Sequence, residues 1–360
     1  RRHLATMFLT AFSFLVVLTA TSGAALGAAL GLTGLLLLHF FANGATSLAV
    51  NAIWNVFNSF TLSAIPLFIL LGEILLHSGI SQRAYSAFRP VFARVPGGLL
   101  HTNIAVCSLF GAVSGSSLST AAAVGSVAYP EMVKRGYDKA AVVGSLAGGG
   151  TLGLLIPPSL SFLIYGALTE TSIGRLFISG IVPGLMVTGL FMGYILFACL
   201  RNPALYPKDD TRTPLLTILT GMLQIWPVVA LIVAIIGSIA FGFATPTESA
   251  GVGVVVAAII AFVWGDLTPR KLVDSVMHSV LLFSSIGFVV LGATVLSQSA
   301  SVLGVPQTLL ETVLAGGLDK YTVLLIVIIV YLVLGCFFDG LSLMVMTLPI
   351  VFPLLTKLGF

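Results

Sequence analysis

The sequence predicts an all-α protein that crosses a membrane many times. Three observations carry that prediction. Of the 360 residues, 58% are apolar and only 8% are charged, where soluble domains run near ~25% charged. The apolar residues gather into runs of about 20, the length that spans a bilayer, and the mean hydropathy is +1.13. Glycine is frequent, with 38 residues, which suits close helix packing in lipid. The same balance excludes an ordinary soluble enzyme and a disordered chain. It also excludes a nucleic-acid binder, because a net charge of +4 is too small and too scattered for that footprint. Cys107, Cys199 and Cys336 stand far apart inside apolar runs with no CxxC. They read as small apolar residues, not as a metal cage or redox pair.

Candidate spans cover residues 4–20, 23–41, 61–78, 176–200, 215–243, 247–265 and 276–297. In chain order, residues 1–60 are expected to form N-terminal scaffold helices. Residues 61–200 follow as one half of a repeat, with a span, an arm at 79–98, a broken apolar stretch at 99–130 and a disrupted helix at 140–168. Residues 201–275 supply connecting helices. Residues 276–360 repeat the order, with a span, an arm at 298–320 and a broken apolar stretch at 321–356. The breaks fall at Gly111–Ser117 and at Gly335–Gly340. Each broken stretch is either one overlong helix or a re-entrant hairpin. Cytoplasmic loops carry an excess of Lys and Arg, and the re-entrant reading concentrates the basic residues on one side better. It opens the first hairpin to the cytoplasm and the second to the opposite face. The two halves then share an order but oppose in orientation, which is an inverted repeat of the secondary-transporter kind.

The arm at 79–98 interleaves Arg83, Arg89 and Arg94 with Tyr85, Phe88 and Phe92. That mixture suits a helix lying in the headgroup plane, clamping a rigid frame while the hairpins move. At the first hairpin tip, Ser114, Gly115, Ser116 and Ser117 crowd hydroxyls and amides together, with Ser119 and Thr120 just beyond. A half-helix starting there points its N-terminal amides at an anion. In 140–168, Gly148-Gly149-Gly150 and Pro157-Pro158 sit inside one hydrophobic span. Proline removes donors and clashes with the preceding turn, so this helix is expected to break. Freed carbonyls are tolerated in lipid only where they line a cavity or are buried in protein. Beside Thr151, Ser159 and Ser161 they offer hard oxygens to a small cation. Neither segment supplies a carboxylate, so the ligands are expected to be carbonyls and hydroxyls, a neutral set from which Na⁺ can be released each cycle. Ser119, Thr120 and Ser159 are the candidates for holding an anionic substrate.

Asp339, deep in apolar sequence, either faces cations or caps a helix. Glu248, just after Thr247, reads as a first-turn acid of a helix. Glu73 and His77, one turn apart, read as an interfacial pair, while His39 and His278 look isolated and interfacial. A serine nucleophile needs a base within reach, and His101 lies at a hairpin mouth, so an enzyme is not expected.

Taken together, these residues resemble a known family. Gly111-Ala112-Val113-Ser114-Gly115-Ser116-Ser117, Pro130-Glu131-Met132 and Arg135-Gly136-Tyr137-Asp138 resemble the first hairpin of the large membrane subunit of TRAP (tripartite ATP-independent periplasmic) transporters. Gly149-Gly150-Thr151-Leu152-Gly153 and Ile156-Pro157-Pro158-Ser159 are similar to its broken helix, and Ala244-Thr245-Pro246-Thr247-Glu248 to a further signature. Phe338-Asp339 and Thr347-Leu348-Pro349-Ile350 resemble its second hairpin. The resemblance covers nearly the whole chain. It implies an importer of organic acids in the bacterial inner membrane, coupled to Na⁺ with no other cofactor. It also implies a small membrane subunit and a periplasmic substrate-binding protein as partners, and a transport domain that moves against a scaffold as an elevator. It places the cation at Ser114, Gly115, Ser116, Ser117, Gly150, Thr151, Gly153 and Pro157, with Asp339 a second-hairpin candidate. A related sodium–dicarboxylate symporter that needs no binding protein is the alternative. The family has another Thr-Pro-Pro helix break after the second hairpin. This chain begins at Arg1 and stops at Phe360, so the expectation is a C-terminally incomplete second half, from truncation or from loss of one cation site. Transport by this chain alone is then in question.

Overall fold

The computed structural model describes residues 25–207, 221–317 and 319–360, with single positions at 214 and 218. Every regular element among them is helical. The predicted span at 4–20 lies outside the described residues, as does most of the start of the one predicted at 215–243.

In chain order the α-helices are α1 (Leu26–Phe41), α2 (Ser47–Phe57), α3 (Ala64–His77), α4 (Ile80–Phe92), α5 (Leu99–Ser114), α6 (Ser117–Lys134), α7 (Lys139–Leu155) and α8 (Leu160–Thr169). They continue as α9 (Ile173–Arg201), α10 (Trp226–Ala240), α11 (Pro246–Val263), α12 (Pro269–Val302), α13 (Val305–Ala315), α14 (Lys320–Leu334) and α15 (Gly340–Lys357). Among the described residues, five helical stretches are long and apolar enough to cross a membrane. The bent pair α3–α4 makes a sixth if it is counted as one span. The expected span at 61–78 is α3, and the chain bends 67° into α4 at the predicted arm.

The chain forms two compact units, one of residues up to Leu62 with Phe283–Phe360 and one of Ser63–Leu282. In the first, α1 lies on α12, and small residues set the approach. A Cβ on Gly34 would stand 2.8 Å from the Leu296 amide nitrogen, and one on Gly27 2.4 Å from the Phe288 carbonyl oxygen. In lipid the gain comes from such packing, since solvent and side chain are equally apolar. α14 and α15 double back on each other. Tyr321 at the start of α14 meets Phe360 just past α15 edge to face, with ring centroids 6.1 Å apart, and Tyr331 bonds Thr347. The stretch at 321–356 is therefore a hairpin.

In the second unit, α3, α5, α6 and α7 share a core around Phe68, Leu71, Ile104, Cys107, Phe110 and Leu152, all buried. α5 and α6 also fold back on each other. Asn103 Nδ2 near the start of α5 lies 3.3 Å from Met132 Sδ near the end of α6. The Leu99 N–H donates to the Tyr137 hydroxyl at 3.1 Å. A single overlong helix would hold these residues apart, so the first broken stretch is also a hairpin. The arm packs on protein. Ile80, Ala84, Tyr85 and Ala87 of α4 are buried against protein, and α4 packs on α5 and α6. Its buried face lies against the hairpin base. Arg89 approaches Glu131 at 3.8 Å, and Arg135 binds the same carboxylate at 2.7 Å.

Candidate functional site

Two helix breaks lie against each other in the second unit. In the first, α5 ends at Ser114 because Gly115 takes the left-handed conformation at φ 60°, with its N–H on the Gly111 carbonyl at 2.9 Å. L-residues with a Cβ are strained there. Ser116 is extended and opens α6 as its N-cap, accepting from the Ser119 N–H at 3.3 Å. In the second break, α7 ends at Leu155. The residue before a proline is pushed to extended backbone, and Ile156 obeys, with ψ 122°. Pro157 and Pro158 follow, joined by a cis peptide bond, and α8 restarts after Ser159.

The glycines make the two breaks meet. A Cβ on Gly111 would stand 2.7 Å from Gly153 Cα, and one on Gly115 2.7 Å from the Leu160 amide nitrogen. Gly150 backs onto the Ser117 carbonyl, and Gly153 onto the Ser116 carbonyl and the Thr120 hydroxyl. Two helix C-termini, at Ser114 and Leu155, thus converge with two N-termini, at Ser117 and Leu160. The last carbonyls and first amides of a helix lack intrahelical partners, and the two ends carry opposite partial charge. One locus therefore offers carbonyl oxygens for a cation and amides for an anion.

The hydroxyls are arranged unevenly. Ser114 is buried, and its Oγ lies 2.6 Å from Thr120 Oγ1 and 3.3 Å from the Ser116 carbonyl oxygen. Ser159 is 1% exposed and donates to the Leu154 carbonyl at 2.9 Å, with Ser161 Oγ at 2.8 Å. Ser161 also donates to the Leu154 carbonyl. Ser159 makes no side-chain cap, so it leaves the first amides of α8 to other partners. The backbone at Thr151 departs from expectation. The glycine run at 148–150 does not unwind, and α7 stays helical through Leu155. Thr151 is exposed on it, donating to the Gly148 carbonyl at 2.7 Å. The prolines alone break this helix, and the glycines serve approach. The structure thus brings together Ser114, Gly115, Ser116, Ser117, Thr120, Gly150 and Gly153 beside the Pro157–Ser159 break. Ser119 contributes its amide to the cap of α6, and Thr151 turns its hydroxyl back on its own helix.

Asp339 lies in the other unit. It is exposed and caps α15, accepting from the Leu341 N–H at 3.1 Å and the Ser342 N–H at 3.4 Å. Of its two readings, capping is the one with bonds in place. Glu248 closes a capping box with Thr245 at the start of α11, as a first-turn acid should. Glu73 is buried, with His77 Nδ1 at 3.4 Å from its carboxylate. His278 is not isolated, since its ring stands 5.2 Å from that of His77. Sequence reasoning missed Gly111 and the Leu160 amide. The spacing of small residues Gly111-xxx-Gly115 and Gly149-xxx-Gly153, a known device for close helix approach, would have found the first. Among the described residues, no group of three His, Cys, Asp or Glu side chains is placed to hold a metal.

The sequence matches the family described as tripartite ATP-independent periplasmic transporter, DctM component, over residues 12–360. It is 36% identical over 338 residues to the C4-dicarboxylate TRAP transporter large permease protein DctM of Pseudomonas aeruginosa, covering 92% of this chain and 77% of that protein. The protein of the same description from Vibrio cholerae is 32% identical over 359 residues, covering 94% of this chain and 79% of the relative. The ectoine TRAP transporter large permease protein TeaC of Halomonas elongata is 31% identical over 301 residues, covering 83% and 70%.

Proposed function

The chain belongs to the DctM component family of tripartite ATP-independent periplasmic transporters, and from that premise we propose that it is the large permease subunit of a Na⁺-driven importer of small organic acids. C4-dicarboxylates and sugar acids are the substrate class. The chain is a multi-pass membrane protein, and the bacterial inner membrane is its proposed address. Its proposed partners are a small membrane subunit and a periplasmic substrate-binding protein.

The observation that carries this reading is the junction of the two helix breaks, where Gly115 abuts Leu160 and Gly111 abuts Gly153. Na⁺ takes hard oxygens, and this junction gathers carbonyls from the ends of α5 and α7 with the Ser114 side chain and the Ser117 carbonyl. In the proposed cycle Na⁺ is held by Ser114, Gly115, Ser116 and Ser117 on the tip and by the backbone around Gly150, Gly153 and Pro157. The carboxylate of the substrate is held by the amides and hydroxyls at Ser119, Thr120 and Ser159. Cation and anion then favour each other electrostatically at one locus, which is how the gradient of one drives the other. The α5–α6 hairpin and the broken helix beside it travel in the mobile transport domain of this proposal.

Uptake of a radiolabelled organic acid by vesicles holding the full-length permease tests this. Uptake is expected only with an inward Na⁺ gradient and with the binding protein outside. Equal uptake without the binding protein would identify an independent symporter instead.

A further inference from the structure

α10 and α11 form a helical hairpin with an apolar cleft of about 550 Å³ between them. At one end Trp226 and Trp264 stand edge to face, with ring centroids 6.2 Å apart. At the other end the polar groups bond to one another. Glu248 accepts from the Thr245 N–H and hydroxyl, both at 2.8 Å, and Ser238 bonds Ser249 at 2.9 Å. Between the ends the walls are aliphatic, and Ala230 and Ala234, one turn apart and exposed, leave the space open. Between its two ends the cleft therefore offers only aliphatic walls to a ligand.

We propose that this cleft binds one acyl chain of a membrane phospholipid, with the headgroup at the tryptophan end. Size argues for a chain and against a protein helix. The lining runs along α10 from Trp226 to Ser238, about 18 Å at 1.5 Å per residue, so the cleft averages only about 30 Å² in section, where a helix ~10 Å across needs about 80 Å². It falls instead within the usual range for apolar ligand sites, ~300–1,000 Å³. Polarity argues for a phospholipid over a free hydrocarbon. Tryptophan prefers the headgroup level of a bilayer, and Arg270 and Lys271 follow Trp264 closely in sequence. Lys271 Nζ reaches back to the Asp266 carbonyl at 3.1 Å, two residues past Trp264, and Arg83 stands 3.9 Å from the Asp266 carboxylate, so cations outnumber the acid there. A phosphate is then drawn to the tryptophan end while the chain fills the cleft.

The full-length permease, purified in detergent with its small subunit, tests this by native mass spectrometry. One phospholipid per copy is expected to survive purification, and Ala234→Phe, which fills the cleft, is expected to lose it. Phenylalanine there can disturb the hairpin, so a second measurement uses the wild-type fold. The chain has three tryptophans, and Trp54, 67% exposed on α2, serves as the reference for bulk lipid. A phospholipid brominated on its acyl chain is titrated into vesicles, and Trp226→Phe/Trp264→Phe isolates the cleft signal by difference. Quenching of the cleft pair should reach half its maximum at a lower mole fraction of brominated lipid than quenching of Trp54. Parallel quenching of all three tryptophans, with no lipid retained, would mean annular lipid only and would overturn the proposal. So would cleft tryptophans that become quenchable only when the small subunit is removed, since a protein then covers the cleft.

Discussion

At Ser114 one hydroxyl joins the two sides of the hairpin tip, 2.6 Å from Thr120 Oγ1. Ser114→Ala removes that bond and one candidate ligand. An ordinary polar contact contributes about 1 kcal/mol, so the Na⁺ concentration for half-maximal uptake should rise about fivefold. Thr151→Ala should move it less, because Thr151 is exposed on α7 whereas Ser114 is buried at the junction. Sodium titration of uptake by the two variants checks this, and equal shifts would return Thr151 to the site. Asp339 makes a second residue-scale comparison. Asparagine caps a helix about as well as aspartate, whereas alanine costs about 1 kcal/mol. Asp339→Asn should therefore keep the thermal stability of the purified protein, and Asp339→Ala should lower it. A stable Asp339→Asn protein that has lost all uptake would show that the acid carries coupling. These local features were partly legible in the sequence. The Ser-Gly-Ser-Ser tip and the Pro-Pro break stand out because each residue type dictates its own backbone. The direction of the Thr151 hydroxyl did not, because a helical threonine chooses between its own turn and a neighbour only once that neighbour is packed.

The hairpin and the broken helix are held together by absent side chains. Gly111→Ala would place a Cβ 2.7 Å from the Cα of Gly153, with backbone on both sides and no flexible atom to yield. Overpacking of that kind costs about 1–3 kcal/mol. The variant should melt earlier in detergent and lose uptake, and unchanged melting would mean that the approach is looser than described. Apolar runs, prolines and caps placed most helices within a few residues, as for 247–265 against Pro246–Val263 and 61–78 against Ala64–His77. The glycine run at 148–150 misled, because glycine both weakens helices and permits close contact. Only the α5 and α6 residues beside it decide which effect wins. The contacts of the arm were illegible for a similar reason. A basic, aromatic helix looks alike in sequence whether lipid or the hairpin base covers its apolar face. Cysteines placed one at a time along 131–139 test the hairpin in the bilayer. They should label from the cytoplasm, and labelling only from the periplasm would mean that 99–130 crosses.

At the scale of the whole molecule, composition alone separated a polytopic membrane protein from a soluble one. The motifs in order pointed to the family to which the chain belongs. The pairing of the two repeat halves rests on pattern, since the letters of the hairpins hardly agree. Only assembly with the partner subunits makes the proposed importer complete. Its central claim is that the junction of the two helix breaks couples Na⁺ to substrate through neutral oxygen ligands. The most direct test is substrate uptake into proteoliposomes of the complete transporter under separately imposed ion gradients. An inward Na⁺ gradient at equal pH should drive accumulation, and a pH gradient without Na⁺ should drive none. Accumulation driven by the pH gradient alone would contradict the account.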